Sequence, residues 1–181
     1  ILKPSEVASH TATALARLLP AHPDSDAVAV VNGGVDRTTE LLAQRVDYIF
    51  YTGSSNVGRI VMKAAAEHLT PVTLELGGRS PVIVDARSDL PTAARRIAFG
   101  KFMNAGQTCV APNHIYVDRT VHDRLCTELV AAVRNFYGAE PRISPDFGRI
   151  INTRHLSRLT GLLGHGETVL CGGESDADDR Y

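Results

Sequence analysis

Short apolar runs alternate with longer amphipathic stretches along this chain. Continuous apolar runs are typical of buried parallel strands, and they predict strands at residues 27–31, 48–51, 72–76, 81–84, 114–117 and 168–171. Apolar residues at helical spacing predict helices at residues 6–19, 36–44, 58–68, 90–103, 121–137 and 153–163. Because strand, short turn and helix follow one another, we expect an α/β fold with a parallel, doubly wound sheet.

Local residues indicate where several of these elements begin and where the chain divides. Ser5 is expected to cap the first helix, and Asp36 the second. The double glycine at 77–78 changes the direction of the chain between two sets of elements. The sequence therefore predicts two domains, residues 1–76 and 77–181.

The charge, apolar runs and cysteine count argue against several classes of binding partner and cellular location. The 19 basic and 20 acidic residues give a net charge of −1 without a long basic run, which argues against a nucleic-acid or anionic-membrane surface. No apolar run approaches the roughly 20 residues that cross a bilayer. Cys109, Cys126 and Cys171 form no CxxC pair and are odd in number, which fits a reducing compartment. We therefore expect a cytoplasmic protein with no membrane span.

One cysteine lies on a turn that is suited to chemistry. Cys109 stands in residues 104–112 (NAGQTCVAP), where a glycine loosens the chain before a proline closes the turn. Such a turn can present a thiol to a cleft. The alternative is that Cys109 is a small buried hydrophobe, as free cysteines often are.

A lone carboxylate in an apolar strand favours the chemical interpretation. Glu75 interrupts the apolar run 72–76, and an ionisable group in a buried strand is costly unless it is used or paired. If Glu75 faces the same cleft as Cys109, the pair combines a nucleophile with a carboxylate that can activate water. The alternative is a structural partner for Glu75, such as an arginine.

A glycine turn follows the strand at 48–51. Residues 53–58 (GSSNVG) precede a helix, so backbone N–H groups and the helix dipole can hold a phosphate there. The stretch is not a GxGxxG fingerprint, and a tight turn that needs glycine only for its geometry is an equal alternative. The seven histidines make no HExxH or paired spacing, so no metal site is expected.

Four motifs together resemble those of the aldehyde dehydrogenase superfamily, in the same order. They are residues 3–6 (KPSE), 50–58 (FYTGSSNVG), 74–78 (LELGG) and 106–109 (GQTC). Three stretches are most similar to the class 3 branch, which oxidises medium-chain, fatty and aromatic aldehydes. They are residues 72–81, 106–113 and 147–155. The resemblance covers nearly the whole chain and implies a Rossmann-like sheet, with residues 1–76 in the NAD(P)-binding domain and residues 77–181 in the catalytic domain.

The resemblance also implies roles for individual residues. Cys109 would attack the aldehyde and form a thiohemiacetal and then a thioester, and Glu75 would activate the water that hydrolyses the thioester. The implied cofactor contacts are Gly53, Ser54 and Gly58 near the pyrophosphate, Val57 near the adenine, Lys3 and Glu6 near the adenosine ribose, and Leu76 near the nicotinamide. Glu6 would repel a 2′-phosphate, which favours NAD, while NADP stays open because the branch often accepts both cofactors.

The chain is shorter than members of that superfamily. The resemblance implies a central fragment of a homodimeric enzyme that acts on a small-molecule aldehyde, and the fragment alone is expected to be inactive. Two other functions stay open at this point. One is a cysteine acyl-hydrolase that needs no cofactor, and the other is a truncated interaction module without catalysis.

Overall fold

The computed structural model describes residues 1–21, 24–164, 166 and 168–181. The chain divides into two units, Ile1–Leu76 and Gly77–Tyr181. In the described residues each unit contains one pair of parallel strands with helices beside it. The α/β class with parallel pairing is thus confirmed, while the assignment of the units to a cofactor-binding and a catalytic domain stays a prediction.

The first unit is built around strands β1 and β2. Its α-helices and strands are α1 (Ser9–Leu18), α2 (Val35–Leu42), β1 (Ile49–Thr52), α3 (Ser55–Ala66) and β2 (Val72–Glu75). Short 3-10 helices occupy Glu6–Ala8, Leu19–Ala21 and Ser25–Ala27. The two strands pair in parallel, with Ile49 opposite Val72 and Thr52 opposite Glu75. Ser5 caps the 3-10 helix Glu6–Ala8, because its hydroxyl accepts a hydrogen bond from the Val7 N–H. The predicted single helix over residues 6–19 is divided, since α1 begins only at Ser9, after Ala8, and has no side-chain cap.

The predicted strand at 27–31 is wrong. Only an isolated parallel bridge joins Leu2 to Val30. The Leu2 N–H donates to the Ala29 carbonyl at 2.7 Å, and the Val31 N–H donates to the Leu2 carbonyl at 2.9 Å. The next donor in a parallel ladder would be the N–H of residue 4, and Pro4 has none. The ladder therefore stops after one step.

Two predicted helix starts are also corrected. The second helix begins at Val35 after Gly34, so Asp36 lies in the first turn and does not cap it. A carboxylate in that turn still interacts favourably with the helix dipole. The third helix begins at Ser55 rather than at residue 58, because the Ser54 hydroxyl accepts a hydrogen bond from the Val57 N–H and caps the helix earlier.

The second unit contains a second parallel pair of strands. Its α-helices and strands are β3 (Ser80–Val84), α4 (Leu90–Phe102), β4 (Pro112–Val117), α5 (His122–Tyr137) and α6 (Thr153–Thr160). Short 3-10 helices occupy Arg119–Val121 and Pro141–Ile143, whereas residues Met103–Gly106 form a turn with non-helical backbone angles. The strands pair with Val82 opposite Ile115 and Val84 opposite Val117.

The core of the second unit fixes the end of α4. Helices α4 and α5 pack together beside the β3–β4 pair, and the core they share with it buries Val84, Leu90, Ala94, Ala98 and Leu125 to 3% exposure or less. Burying a leucine side chain contributes about 2 kcal/mol of stability. The cysteine turn follows directly from the C-terminal end of α4, so it starts from a rigid support.

The predicted strand at 168–171 does not form. These residues are irregular, and Val169 and Leu170 are exposed. Gly172 and Gly173 follow with φ angles of 73° and 91°, which turn the chain away from an extended course. In the described residues this segment pairs with neither strand pair.

Candidate functional site

The chain approaches Cys109 through three successive residues in the left-handed region. Asn104, Ala105 and Gly106 have φ angles of 55°, 52° and 77°. Glycine adopts this conformation freely, whereas for other residues it costs roughly 1–2 kcal/mol each. The sequence indicated a turn loosened by Gly106, but it gave no indication that the two residues before the glycine share its conformation.

Cys109 itself lies in a hydrogen-bonded turn. The Ala111 N–H donates to the Thr108 carbonyl at 3.1 Å, and Ala111 is buried where β4 begins. Between these two residues the cysteine is exposed. The alternative of a small buried hydrophobe is therefore wrong for Cys109.

Gly78 passes the cysteine turn so closely that a side chain would not fit. A Cβ added to Gly78 would lie 2.3 Å from the Cys109 carbonyl oxygen, well inside van der Waals contact. At Gly77, by contrast, an added Cβ would meet no atom within 4 Å. The sequence assigned both glycines to a change of chain direction, and it missed that Gly78 lies against the cysteine.

A second residue that the sequence did not single out is Gln107. Its side-chain amide donates to the carbonyls of Asn104 and Arg149, both at 3.0 Å. Its side-chain oxygen accepts from the Ile151 N–H at 2.9 Å. The bonds to residues 149 and 151 join the cysteine turn to a segment more than 40 residues further along, which no local pattern reveals.

Glu75 departs from its expected environment. It is the last residue of β2 and is exposed, so the prediction of a carboxylate buried in an apolar strand is wrong for the described residues. The strand ends at Glu75, and its flanking residues Leu74 and Leu76 are only half-buried, so they do not enclose the carboxylate. Glu75 belongs to the first unit and Cys109 to the second, and their meeting in one cleft stays a prediction.

The glycine turn between β1 and α3 has the features that a phosphate site requires. Residues 53–57 are exposed at the N-terminus of α3, a helix of 12 residues. Helix N-termini bind anions through free N–H groups and the positive end of the dipole. The turn is tied to β2, because the Gly53 N–H donates to the Glu75 carbonyl at 2.9 Å. These residues fit the diphosphate of a dinucleotide.

Gly58 and Leu76 lie together behind that turn. Gly58 is buried, and a Cβ added there would lie 3.1 Å from Cδ2 of Leu76. Val57, in contrast, is 38% exposed beside the same turn. Gly58 therefore serves close packing of α3 against the strands, and its contact with a cofactor stays a prediction.

Lys3 and Glu6 form an ion pair with each other. The Lys3 Nζ lies 2.8 Å from Oε2 of Glu6, with 18% and 51% of the side chains exposed. The hydrogen bond from Lys3 lowers the pKa of the Glu6 carboxyl below its usual value. Glu6 is therefore ionised at neutral pH, and a contact of this pair with a ribose stays a prediction.

An open apolar groove between α2 and α3 does not involve any of the predicted site residues. It is lined by Thr39, Leu42, Ala43, Ile60, Ala64, Glu67 and His68. These positions lie toward the C-terminal parts of the two helices, whereas the glycine turn lies at the N-terminus of α3.

Two features are absent from the residues that the structure describes. In that part of the chain no three His, Cys, Asp or Glu side chains gather as metal ligands would. None of its helices combines the length and the apolar character needed to cross a bilayer.

Comparison with known sequences gives similarity over the whole chain. The model of the aldehyde dehydrogenase family matches residues 1–181. Aldehyde dehydrogenase family 3 member A2 of Mus musculus is 52% identical over 181 residues, which are 100% of this chain and 37% of that protein. The dimeric NADP-preferring aldehyde dehydrogenase of Rattus norvegicus is 54% identical over the same residues, which are 40% of its length. The chain thus spans about two fifths of these curated relatives.

Comparison with solved structures gives the same result for the fold. The substrate-bound state of Staphylococcus aureus AldH matches with a TM-score of 0.90 and 48% identity, over 99% of this chain and 39% of that one. An aldehyde dehydrogenase of Mycobacterium tuberculosis, solved with NAD+, matches with a TM-score of 0.79 and 35% identity, over 98% of this chain and 39% of that one. The expected fold type is confirmed by these similarities.

Proposed function

This chain belongs to the aldehyde dehydrogenase family, and we propose that it contributes the thiol and the cofactor-binding turn of an enzyme that oxidises an aldehyde to a carboxylic acid with NAD(P). The observation that carries the proposal is the exposed Cys109 on a turn that admits only glycine at position 78. A thiol on such a turn is accessible to a substrate. The close approach of Gly78 limits the movement of the Cys109 backbone.

In the first step the Cys109 thiolate attacks the carbonyl carbon of the aldehyde. A carbon–sulfur bond forms, and the carbonyl electron pair moves to oxygen to give the thiohemiacetal oxyanion. The Cys109 N–H donates no hydrogen bond to an acceptor in the described residues, so it is free to donate to that oxyanion. A preorganised donor of this kind contributes roughly 3 kcal/mol to the stability of the transition state.

The cofactor is assigned to the turn that precedes α3. Gly53, Ser54 and Gly58 would lie near its pyrophosphate and Val57 near its adenine, with Lys3 and Glu6 near the ribose and Leu76 near the nicotinamide. NAD(P) bound there would supply the acceptor for the hydride of the thiohemiacetal carbon, and Cys109 would then hold the acyl group as a thioester.

Glu75 completes the cycle as general base. Its carboxylate takes a proton from the water that attacks the thioester carbon, the carbon–sulfur bond breaks, and the carboxylic acid leaves. The exposed position of Glu75 at the end of β2 gives water access to it. General base catalysis of this kind accelerates a step about 10²- to 10⁴-fold.

The resemblance to the class 3 branch implies medium-chain, fatty or aromatic aldehydes as the substrate class, and the similarity to family 3 relatives supports that branch. The ionised Glu6 opposes a 2′-phosphate and favours NAD, whereas the name of the rat relative favours NADP. We therefore propose NAD as cofactor and test NADP beside it. A homodimer and a cytoplasmic location belong to the same proposal.

The test uses the polypeptide that the natural source produces and that contains these residues. It is called the natural polypeptide below. With hexanal and NAD it should form reduced cofactor, and Cys109→Ala should lower the rate on the order of 10⁴-fold or more. The matched control is Cys171→Ala, because Cys171 is also an exposed thiol. Turnover retained in Cys109→Ala would contradict the proposal.

Two other results would each support a different function for this chain. Ester hydrolysis that does not change when NAD is added would support a cofactor-independent acyl-hydrolase. Alkylation of Cys109 no faster than that of Cys126 and Cys171, together with no aldehyde oxidation, would support an interaction module.

A further inference from the structure

One carboxamide connects the cysteine turn to a distant part of the second unit. The Gln107 side chain accepts from the Ile151 N–H at 2.9 Å and donates to the carbonyls of Asn104 and Arg149 at 3.0 Å each. All three partners are backbone groups. A primary amide has both the donors and the acceptor that this pattern requires, whereas a carboxylate only accepts and an alkyl chain does neither.

The connected turn is one that needs outside support. Asn104 and Ala105 hold left-handed conformations that are costly for residues with a Cβ. Within the turn, the Gln107 N–H also donates to the Asn104 carbonyl at 3.1 Å. The side chain and the backbone of Gln107 thus hold the same carbonyl, which keeps the chain reversed before Cys109.

The distant segment is itself firmly held. The Arg149 guanidinium donates to the Phe147 carbonyl at 3.1 Å and pairs with Asp179 at 2.9 Å. It also lies 5.4 Å from the centre of the Tyr181 ring, at cation–π distance. Gln107 therefore ties a strained turn to a segment that has its own anchors.

We infer that Gln107 is a positioning residue that fixes the place of the Cys109 thiol and N–H through residues 149–151. It acts through the turn, and no contact with aldehyde or cofactor is assigned to it. The catalytic consequence rests on the proposed function, but the mechanical consequence does not. A displacement of reacting groups by about 1 Å can lower a rate by two orders of magnitude.

The mechanical consequence is tested by amide hydrogen exchange on the natural polypeptide. Gln107→Met keeps the length of the side chain and removes all three hydrogen bonds. The hydrogen-bonded amides of Gln107, Ala111 and Ile151 should then exchange about tenfold faster, while those of α5 should not change. The control is Gln44→Met, since Gln44 is the only other glutamine, is exposed, and makes one local bond to the Glu40 carbonyl.

The catalytic consequence is tested by steady-state kinetics. Gln107→Met should lower kcat about 100-fold and leave KM for hexanal within about threefold, because the turn acts on the reacting thiol and not on general binding. Gln44→Met should keep both constants. A change in KM alone, with kcat preserved, would overturn the inference.

A second variant separates positioning from folding and carries the test if Gln107→Met fails to fold. Gln107→Glu keeps the size of the side chain and its acceptor for the Ile151 N–H, but the carboxylate meets the Asn104 and Arg149 carbonyls without a proton to donate. Protonation restores one donor. The kcat of Gln107→Glu relative to wild type should therefore rise as the pH is lowered, and a ratio independent of pH would overturn the inference.

These outcomes distinguish the inference from the proposed function. Hydrogen exchange needs neither aldehyde nor NAD, so faster exchange in a protein that oxidises no aldehyde would support the fixed turn and contradict the dehydrogenase. Aldehyde oxidation with unchanged exchange at Gln107, Ala111 and Ile151 in Gln107→Met would overturn the role of Gln107 and leave the dehydrogenase standing.

Discussion

Two turns in this chain follow a regular element and present exposed residues, yet they are held in different ways. The turn before α3 is held locally, because the Ser54 hydroxyl caps the helix through the Val57 N–H three residues later. The cysteine turn is held from a distance, by Gln107 through residues 149 and 151 and by the close passage of Gly78. A phosphate site needs only a helix N-terminus, whereas a nucleophile needs its position fixed from several sides.

Among changes to the supports of the two turns, the largest expected effect comes from closing the space beside the cysteine turn. Gly78→Ala places a Cβ 2.3 Å from the Cys109 carbonyl oxygen, so either the turn or the approaching chain must move. We expect kcat for aldehyde oxidation to fall by at least about 10²-fold. Gly77→Ala is the matched control, because a Cβ there meets no atom within 4 Å. Equal loss of kcat in the two variants would contradict the importance of the contact with Cys109.

A smaller effect is expected at the locally held turn. Ser54→Ala removes the helix cap and should lower the free energy of unfolding by about 1 kcal/mol. Because the same turn is assigned to the cofactor, KM for NAD should rise about fivefold while kcat changes little. Ser55→Ala, one residue into α3, should leave both quantities near wild type. An unchanged KM for NAD in Ser54→Ala would show that the Ser54 cap does not contribute to cofactor binding.

The smallest expected effect concerns the anchor of the distant segment and depends on pH. The hydrogen bond from Arg149 holds the pKa of the Asp179 carboxyl below its usual value. The folded state thus favours the charged form, so the stabilisation is present at neutral pH and is lost as the pH falls below about 4.

Thermal unfolding measures this dependence. The melting temperature of Asp179→Asn should lie below that of wild type between about pH 5 and 7. The difference should shrink toward about pH 3, because protonation of the Asp179 carboxyl weakens the ion pair in wild type. Asp178→Asn is the control, because Asp178 is exposed beside it. A difference that stays constant down to the acid end would contradict the assigned ion pair.

Features that depend on neighbouring residues could be predicted from the sequence. Ser5 was recognised as a helix cap from its position before a helical stretch, and the strands at 48–51 and 72–76 were found from their apolar runs. The turn at 104–112 was identified from its glycine and proline, and its cysteine is exposed. In each case the determining residues lie within one turn of the element.

Features that depend on a distant partner could not be predicted. The apolar run 27–31 fails as a strand because Pro4 interrupts its ladder. The run 168–171 pairs with no strand in the described residues, and the glycines at 172 and 173 turn the chain directly after it. Gln107 and Gly78 act on the cysteine turn through contacts that no spacing encodes. The burial expected of Glu75 failed because an apolar run does not tell which of its residues ends the strand.

The central claim is that Cys109 carries the acyl group and Glu75 releases it. It is tested most directly by mass spectrometry of peptides from the natural polypeptide with Glu75→Gln, after incubation with hexanal and NAD. We expect a hexanoyl group on the peptide that contains Cys109, none on those with Cys126 or Cys171, and none when NAD is omitted. A Cys109 peptide without the acyl group, while oxidation of hexanal continues, would contradict it.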